Sequence, residues 1–201
     1  MSLIDDHDYW NKFYAANGVV HKPSSFARHT EDNYFEYGKT LLELGCGNGR
    51  DAIFFAEKGK KVSALDLSSQ TIQRLSSMNL KNASFFNQDF SRLSNFKDFD
   101  YVYSRFTLHS ISDESEKMVL QQLPKVIKSG GLFLLEARSL KDEKLAKTFG
   151  KGHFRRYLDY EATVTKIERL NFKVLEKVES QGLSPYQNEN PFLIRIVAEK
   201  L

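Results

Sequence analysis

Three glycines at alternate positions follow a short apolar stretch, and an amphipathic stretch begins directly after them. Residues 41–51 read LLELGCGNGRD. Glycine permits a tight turn and lets the backbone approach a ligand closely. A helix that starts after the turn presents unpaired backbone N–H groups at its first residues. The segment therefore predicts a ligand-binding turn between a strand and a helix.

The spacing of the glycines indicates the class of ligand. Dinucleotide-binding proteins carry G-x-G-x-x-G, with a pyrophosphate on the helix terminus. Here Gly45, Gly47 and Gly49 give G-x-G-x-G, and Glu43 lies two residues before the first of them. A carboxylate at this point repels pyrophosphate but suits a ligand with an ammonium group. S-adenosylmethionine, which carries an ammonium, a carboxylate, a sulfonium and no phosphate, fits this pattern.

Two further carboxylates follow later apolar stretches. Asp66 ends the stretch 62–66, about 20 residues after the glycine turn, where a carboxylate is expected to bind ribose hydroxyls. Asp89 follows the stretch at 85–86 and is placed to meet the adenine amino group. Each feature alone has a structural alternative, such as a helix cap for Asp66. All three in this order predict a nucleoside site.

Short apolar runs alternate with stretches of helical periodicity along the chain. The apolar runs are 40–44, 62–65, 83–86, 101–103, 132–135, 173–178 and 192–198, and the helical stretches are 51–58, 69–78, 114–127 and 160–170. This alternation predicts an α/β fold, a Rossmann-like three-layer sandwich around a mostly parallel sheet. The last two runs are joined without a helix, which predicts an antiparallel pair. In the first forty residues we expect one short helix over 8–16 and a loop through Gly18 and Pro23.

Composition excludes several other classes of protein. Lys and Arg exceed Asp and Glu by only +3, which is too little for a nucleic-acid-binding surface. The single cysteine, Cys46, excludes an internal disulfide, and no His and carboxylate spacing predicts a metal site. The acidic start MSLIDDHDYW is unlike a secretory signal, and no apolar run approaches the ~20 residues that cross a bilayer. We expect a cytoplasmic protein of one structural domain, with residues 1–38 as an N-terminal lid and 39–201 as the catalytic domain.

The chain resembles the class I S-adenosylmethionine-dependent methyltransferases. The segments that carry the resemblance are 41–59, 62–67, 87–90, 99–104 and 129–135. The resemblance implies methyl transfer with S-adenosylhomocysteine as product, on a seven-stranded sheet whose last strand is antiparallel. The candidate cofactor contacts are Glu43, Gly45, Cys46, Gly47, Asp66, Leu67, Asp89, Phe90 and Ser104. A nicotinamide-dependent dehydrogenase is disfavoured by the glycine spacing and by the lack of a Tyr-x-x-x-Lys pair.

Aromatic and basic residues near the N-terminus are further candidates. The rings of Tyr9, Trp10, Phe13 and Tyr14 are placed to close over the sulfonium, since ring faces attract cations. We assign Trp10 to the cofactor and Tyr14 to the acceptor; the alternative is an amphipathic helix that packs on the domain. Among the basic groups that follow, Arg28 is assigned to the methionine carboxylate, with a solvated basic loop as the alternative. That loop would carry His21, Lys22, Arg28 and His29.

A narrower resemblance is to bacterial methyltransferases that modify surface polysaccharides. It rests on the segments 9–14, 23–27, 103–110, 136–139 and 153–157. Nucleic-acid amino-methylases read Asn/Asp-Pro-Pro-Tyr/Phe after the fourth strand, whereas this chain reads SRFT at 104–107. The difference argues against a flipped base as the acceptor.

Residues that follow the fourth and fifth strands are the candidates for acceptor binding. They are Arg105, Arg138, Arg155, Arg156 and Tyr157. Guanidinium groups bind carboxylate or phosphate through two parallel hydrogen bonds. The set predicts a small anionic acceptor, such as a phosphorylated sugar. The alternative is that Arg105 and Arg138 pair with Glu136 or Asp142 and brace the loops.

A sugar hydroxyl needs a general base, whereas phosphate, carboxylate and neutral amines need little base help. The candidate bases are His109 and His153, followed by Glu136. A lone histidine in a loop is more often a structural hydrogen-bonding group. Two other functions stay open, namely methyl transfer to a protein or RNA and a catalytically silent subunit that binds the cofactor.

Overall fold

Seven strands form the sheet in the computed structural model, which describes residues 9–12, 22–145 and 154–201. The strands are β1 (Thr40–Leu44), β2 (Lys61–Asp66), β3 (Ala83–Asn87), β4 (Phe99–Arg105), β5 (Ile127–Arg138), β6 (Phe172–Ser180) and β7 (Leu193–Lys200). Their order in the sheet is β3-β2-β1-β4-β5-β7-β6. The predicted Rossmann-like α/β class, with a mostly parallel sheet and an antiparallel last strand, is confirmed.

Helices occupy the amphipathic stretches between the strands and also a segment before β1. They are α1 (Ser25–Tyr34), α2 (Arg50–Glu57), α3 (Ser69–Ser77), α4 (Asp113–Val126) and α5 (Tyr160–Glu168), with short 3₁₀ turns at Leu108–Ser110 and Leu140–Asp142. Residues 9–12 are also helical. Ser24, Ser68, Ser112 and Asp159 each accept the N–H of the residue three positions on, which satisfies one unpaired donor at a helix start. No helix in the described ranges is long and apolar enough to cross a membrane.

The chain divides into two compact units, Met1–Arg92 and Leu93–Leu201. In the first unit β1 pairs with β2 and β2 with β3, both in parallel. Leu41, Leu42 and Leu44 of β1 are fully buried, as is usual for a strand covered on both faces. The separate assignment of residues 1–38 to a lid stays a prediction.

In the second unit β4 pairs with β5 in parallel, and β7 is antiparallel to both β5 and β6. This confirms the antiparallel pair that the helix-free connection between the last two strands predicted. Buried aliphatic residues of β7, including Ile194, Ile196 and Val197, fill the core of this unit. The register places Arg105, Glu136 and Arg195 side by side on β4, β5 and β7.

Helix α1 was not predicted from the sequence. Its apolar face is short, with Phe26 and Ala27 fully buried and polar residues at most other positions. Two polar contacts fix it instead. Ser24 donates its N–H and its hydroxyl to the buried Asp51 carboxylate, each over 2.7 Å. The buried Lys60 ammonium pairs with Glu31 at 2.5 Å.

Asp51 is the residue on which the docking of α1 depends. The Asp51→Ala change leaves two buried Ser24 donors without their acceptor, so we expect the free energy of unfolding to fall by about 1–3 kcal/mol. Urea denaturation measures this change. The matched control is Asp32→Ala, at an exposed position of α1, which should change stability by less than about 0.5 kcal/mol. Equal losses in the two variants would contradict the assignment.

Candidate functional site

The glycine turn of the first unit requires glycine for two reasons. The turn follows β1, and Gly47 and Gly49 have φ angles of 54° and 84°, in the left-handed region that favours glycine. Gly49 also precedes α2, where an added Cβ would lie 2.5 Å from the Leu75 Cδ2 atom. The third glycine therefore permits the turn and the close packing of α3.

Asp66 fixes the shape of this turn. One carboxylate oxygen accepts the Gly47 N–H over 2.8 Å, and the other accepts the Ser68 N–H over 2.9 Å. The Cys46 N–H donates to the Leu65 carbonyl over 2.8 Å, so the turn continues the pairing of β1 with β2. Asp66 thus lies at the turn that the sequence assigned to ligand binding.

The electrostatic environment of the turn is negative. Burial raises the pKa of Asp66, although the N–H groups of Ser68, Gly47 and Leu67 oppose the rise. The pKa of the Cys46 thiol is raised well above its usual value, first by burial and then by the charges of Asp66 and Glu43. Glu43 is itself buried. Two carboxylates in a buried site favour a ligand with positive charge.

Asn87 is a residue of this region that sequence reasoning did not single out. Its side-chain amide donates to the Leu67 carbonyl over 2.9 Å and to the Asp66 carbonyl over 3.1 Å. It thereby fixes the backbone that carries two candidate cofactor contacts. The amide at the end of β3 was the available signal. Asp89 caps its own turn, accepting the Ser91 N–H over 2.8 Å, and Phe90 is buried beside it.

The N-terminal candidates divide into described and undescribed positions. Trp10 lies in the helical segment 9–12, with its ring 5.0 Å from that of Tyr9 in an edge-to-face contact. Ser68 donates to the Asn11 side chain over 2.8 Å, so this segment lies at the junction of β2 and α3. Arg28 lies on helix α1 and not in a loop, and its side chain is exposed. Its assignment to the methionine carboxylate stays a prediction. Four candidates, Phe13, Tyr14, His21 and His153, lie outside the described residues.

In the second unit, residues 104–107 at the end of β4 form a turn that is held by close contacts. The Ser104 and Thr107 hydroxyl oxygens lie 2.5 Å apart in a buried hydrogen bond. Phe106 has a φ angle of 58°, uncommon for a bulky residue, and its N–H donates to the Glu136 carbonyl over 2.8 Å. The Arg105 guanidinium lies 4.1 Å from the centroid of the Phe106 ring. Strained backbone of this kind is often found at functional sites.

Glu136 is the centre of a buried ion cluster. Its side chain is fully buried and accepts the Arg105 Nε–H over 2.8 Å and the Arg195 Nε–H over 2.6 Å. The Ser184 hydroxyl lies 3.1 and 3.2 Å from its two oxygens. The carboxylate is thus an ion-pair partner of two guanidinium groups, and each of its oxygens accepts a hydrogen bond. Sequence reasoning missed Arg195, which stands inside the apolar run FLIRIVA.

A second cluster surrounds Arg138. Its guanidinium donates to Asp142 over 2.6 Å and to Glu189 over 3.0 Å. Its backbone N–H donates to the Nδ1 atom of the buried His109 over 3.1 Å. Because Nδ1 accepts, the neutral imidazole carries its proton on Nε2. His109 is therefore held as a donor at Nε2 rather than as a base.

Arg156 binds its own chain at several points. It donates to the carbonyls of Ile111 and Leu108 over 2.7 and 2.9 Å and to Asp113 over 2.5 Å, and it also pairs with Glu116. These contacts attach the segment before α5 to the turn after β4. For Arg105, Arg138 and Arg156, the structure contains the carboxylate pairs that bracing requires. Arg155 and Tyr157 are half-buried in the same segment.

The stability of the second unit should depend on Arg156. Arg156→Ala leaves the buried Glu116 carboxylate with less compensation, so we expect a loss of about 2–4 kcal/mol in the free energy of unfolding. Lys166→Ala removes the exposed cation that binds the same carboxylate over 2.8 Å, and we expect it to cost less than about 1 kcal/mol. Denaturant titration compares the two. A smaller loss for Arg156→Ala than for Lys166→Ala would contradict the bracing role.

The sequence is similar to several methyltransferases. Residues 41–131 match a family described as a methyltransferase domain. The uncharacterized methyltransferase C750.03c of Schizosaccharomyces pombe is 29% identical over 150 residues, which are 71% of this chain and 98% of that protein. The cypemycin N-terminal methyltransferase of Streptomyces sp is 32% identical over 102 residues, 49% of this chain and 42% of that protein.

Solved structures share the fold at lower identity. A Burkholderia thailandensis 1,6-didemethyltoxoflavin-N1-methyltransferase, solved with S-adenosylhomocysteine, gives a TM-score of 0.70 at 16% identity, covering 98% of this chain and 83% of that chain. A putative S-adenosylmethionine-dependent methyltransferase of Listeria monocytogenes gives 0.69 at 18% identity, covering 88% and 97%. The matched domain, the relatives in sequence and the shared fold together support S-adenosylmethionine-dependent methyltransferase activity for this chain.

Proposed function

We propose that this methyltransferase acts on a small acceptor that carries a phosphate or carboxylate, such as an acidic or phosphorylated sugar destined for a surface polysaccharide. One observation carries the proposal. Arg105, at the end of β4, shares the single Glu136 carboxylate with Arg195. When two guanidinium groups share one carboxylate, each is neutralised less than in a one-to-one ion pair. Each therefore attracts an anionic ligand more strongly.

The residues of the glycine turn fit the cofactor by charge and by shape. Glu43 and Asp66 supply buried negative charge for the ammonium and acceptors for the ribose hydroxyls, and Gly47 supplies close backbone approach. When bound, S-adenosylmethionine supplies an electrophilic methyl group on sulfur. The protein's own task is then to bind and align the acceptor and to exclude water.

Arg105 has the properties of an anion-binding group. Its Nε atom is fixed by Glu136, and its guanidinium lies against the Phe106 ring, so the plane of the fork is held in one orientation. A fixed fork binds carboxylate or phosphate through two oxygens. Arg138 is a weaker candidate, because two carboxylates, Asp142 and Glu189, already bind it. The proposal therefore rests on Arg105 and not on the number of arginines.

The hydrogen-bond partners of the candidate bases agree with an acceptor that needs no deprotonation. Glu136 is engaged by two guanidinium groups, and His109 is held with its Nδ1 as an acceptor. An anionic oxygen or a neutral amine attacks a sulfonium methyl group without a general base. A neutral sugar hydroxyl would need one.

Acidification should weaken the binding of S-adenosylhomocysteine. Asp66 is assigned to the ribose hydroxyls of the cofactor, and burial raises the pKa of its carboxyl group from the ordinary value of 3.8. As the pH falls through the raised pKa, Asp66 becomes neutral, so affinity should start to fall at a higher pH than an exposed aspartate would give. Calorimetric titration across pH measures this dependence.

The Asp66→Asn variant provides the comparison. It should bind S-adenosylhomocysteine at least about tenfold more weakly at neutral pH and should lose that acid dependence. Asp32→Asn, at an exposed position of α1, should behave as the wild type does. An unchanged pH profile in Asp66→Asn would remove Asp66 from the cofactor site.

Removal of the Arg105 charge should reduce binding of the acceptor. In a screen of phosphorylated, carboxylated and neutral metabolites, followed by S-adenosylhomocysteine release, we expect turnover of anionic compounds. For these, Arg105→Gln should raise KM by about tenfold or more, because a charge-assisted bidentate contact is lost. The affinity for S-adenosylhomocysteine should stay unchanged. Turnover of neutral sugars alone would refute the proposal.

A further inference from the structure

Arg195 occupies an unusual place for a charged residue. It stands in the middle of β7, between buried Ile194 and Ile196, and its side chain is only 8% exposed. Burying a guanidinium is costly, and a well-packed apolar side chain of similar volume often stabilises a protein more. The neighbouring positions of this run, FLIRIVA, are all apolar. The presence of arginine here therefore indicates a role beyond packing.

The contacts of Arg195 show what it acts on. Its Nε–H donates to one oxygen of Glu136 over 2.6 Å, while Arg105 donates to the other over 2.8 Å. Its Nη2 group donates to the Leu183 carbonyl over 2.8 Å. Ser184, the next residue, donates to the same carboxylate. Arg195 thus holds both the carboxylate and the chain that leads to β7.

We infer that Arg195 determines the acceptor specificity of this methyltransferase by competing with Arg105 for Glu136. The inference rests on the proposed function, in which Arg105 contacts an anionic group of the acceptor. While Arg195 binds Glu136, the carboxylate neutralises Arg105 only in part. Without Arg195, the same carboxylate would neutralise Arg105 more fully, and the attraction for an anion would fall.

The inference predicts effects of opposite sign at two adjacent residues. Arg195→Gln should weaken anion binding, since the Glu136 carboxylate then pairs with Arg105 alone and neutralises more of its charge. Glu136→Gln should strengthen anion binding, since two guanidinium groups then lack their carboxylate. A role limited to bracing predicts the same direction for both changes. We expect each effect to be about tenfold, within the range of close charge pairs.

The probe is inorganic phosphate, with acetate as a carboxylate counterpart, titrated into the complex of the protein with S-adenosylhomocysteine. This measurement needs no knowledge of the acceptor. Binding of S-adenosylhomocysteine itself reports whether each variant is folded. Arg195→Lys keeps the charge and should retain most of the phosphate affinity.

Two further variants keep the test informative if Glu136→Gln does not fold. Ser184→Ala removes a hydroxyl donor from Glu136 without a change of charge. Glu136 should then neutralise Arg105 more strongly, and phosphate affinity should fall by about twofold. Lys128→Gln removes one positive charge near the start of β5, where Lys128 pairs with Asp100 of β4. Asp100 lies five residues before Arg105 on that strand, about 17 Å away by strand rise. At that distance screening is nearly complete at physiological salt, so phosphate affinity should not change.

The outcomes separate the inference from the proposed function. Opposite effects of Arg195→Gln and Glu136→Gln, or losses in Arg195→Gln and Ser184→Ala with Arg195→Lys unaffected, support the inference. Loss of phosphate binding in Arg105→Gln but not in Arg195→Gln overturns the inference alone. If wild-type protein binds neither anion, or Arg105→Gln binds phosphate as tightly as wild type, both fail.

Discussion

A buried carboxylate at the end of a strand must find hydrogen-bond donors in the segments around it, and this constraint shapes the site in each unit. At the end of β2, Asp66 takes backbone N–H groups from Gly47 and Ser68. Near the end of β5, Glu136 takes guanidinium groups from Arg105 and Arg195. Backbone dipoles carry only partial charge, whereas guanidinium groups carry full charge. The two carboxylates therefore create opposite environments.

These environments suit different parts of the methyl-transfer reaction. Around the glycine turn Glu43 and Asp66 place two carboxylates in a buried site, and their charges add to the larger effect of burial in raising the pKa of Cys46. A cofactor that carries an ammonium and a sulfonium supplies the missing positive charge. Around Glu136 two guanidinium groups share one carboxylate. Phe106, the residue after Arg105, has a strained backbone, and its ring lies against the Arg105 guanidinium. The proposed anionic acceptor complements that arrangement.

The sequence predicted what depends on local patterns. The strands, the glycine turn and the position of Asp66 follow from apolar periodicity and from glycine spacing, and both signals lie within a few residues. Helix α1 was missed because its apolar face is short and a distant carboxylate, Asp51, fixes its start. Arg195 was missed because the apolar run around it predicts only a strand. Its partner Glu136 lies 59 positions away, and only the register of β5 with β7 brings them together.

The same dependence on register explains why a count of arginines overstates anion binding. Arg138 and Arg156 have the residue type and the position expected for substrate contacts, yet carboxylates and carbonyls of this chain already occupy them. What distinguishes Arg105 is the ratio of cations to anions in its cluster, since β7 contributes a second guanidinium but no second carboxylate to Glu136. Under the proposed function, specificity for a charged acceptor is a property of three adjacent strands and not of one side chain. A substitution on β7 that never touches the acceptor would change which acceptors are bound.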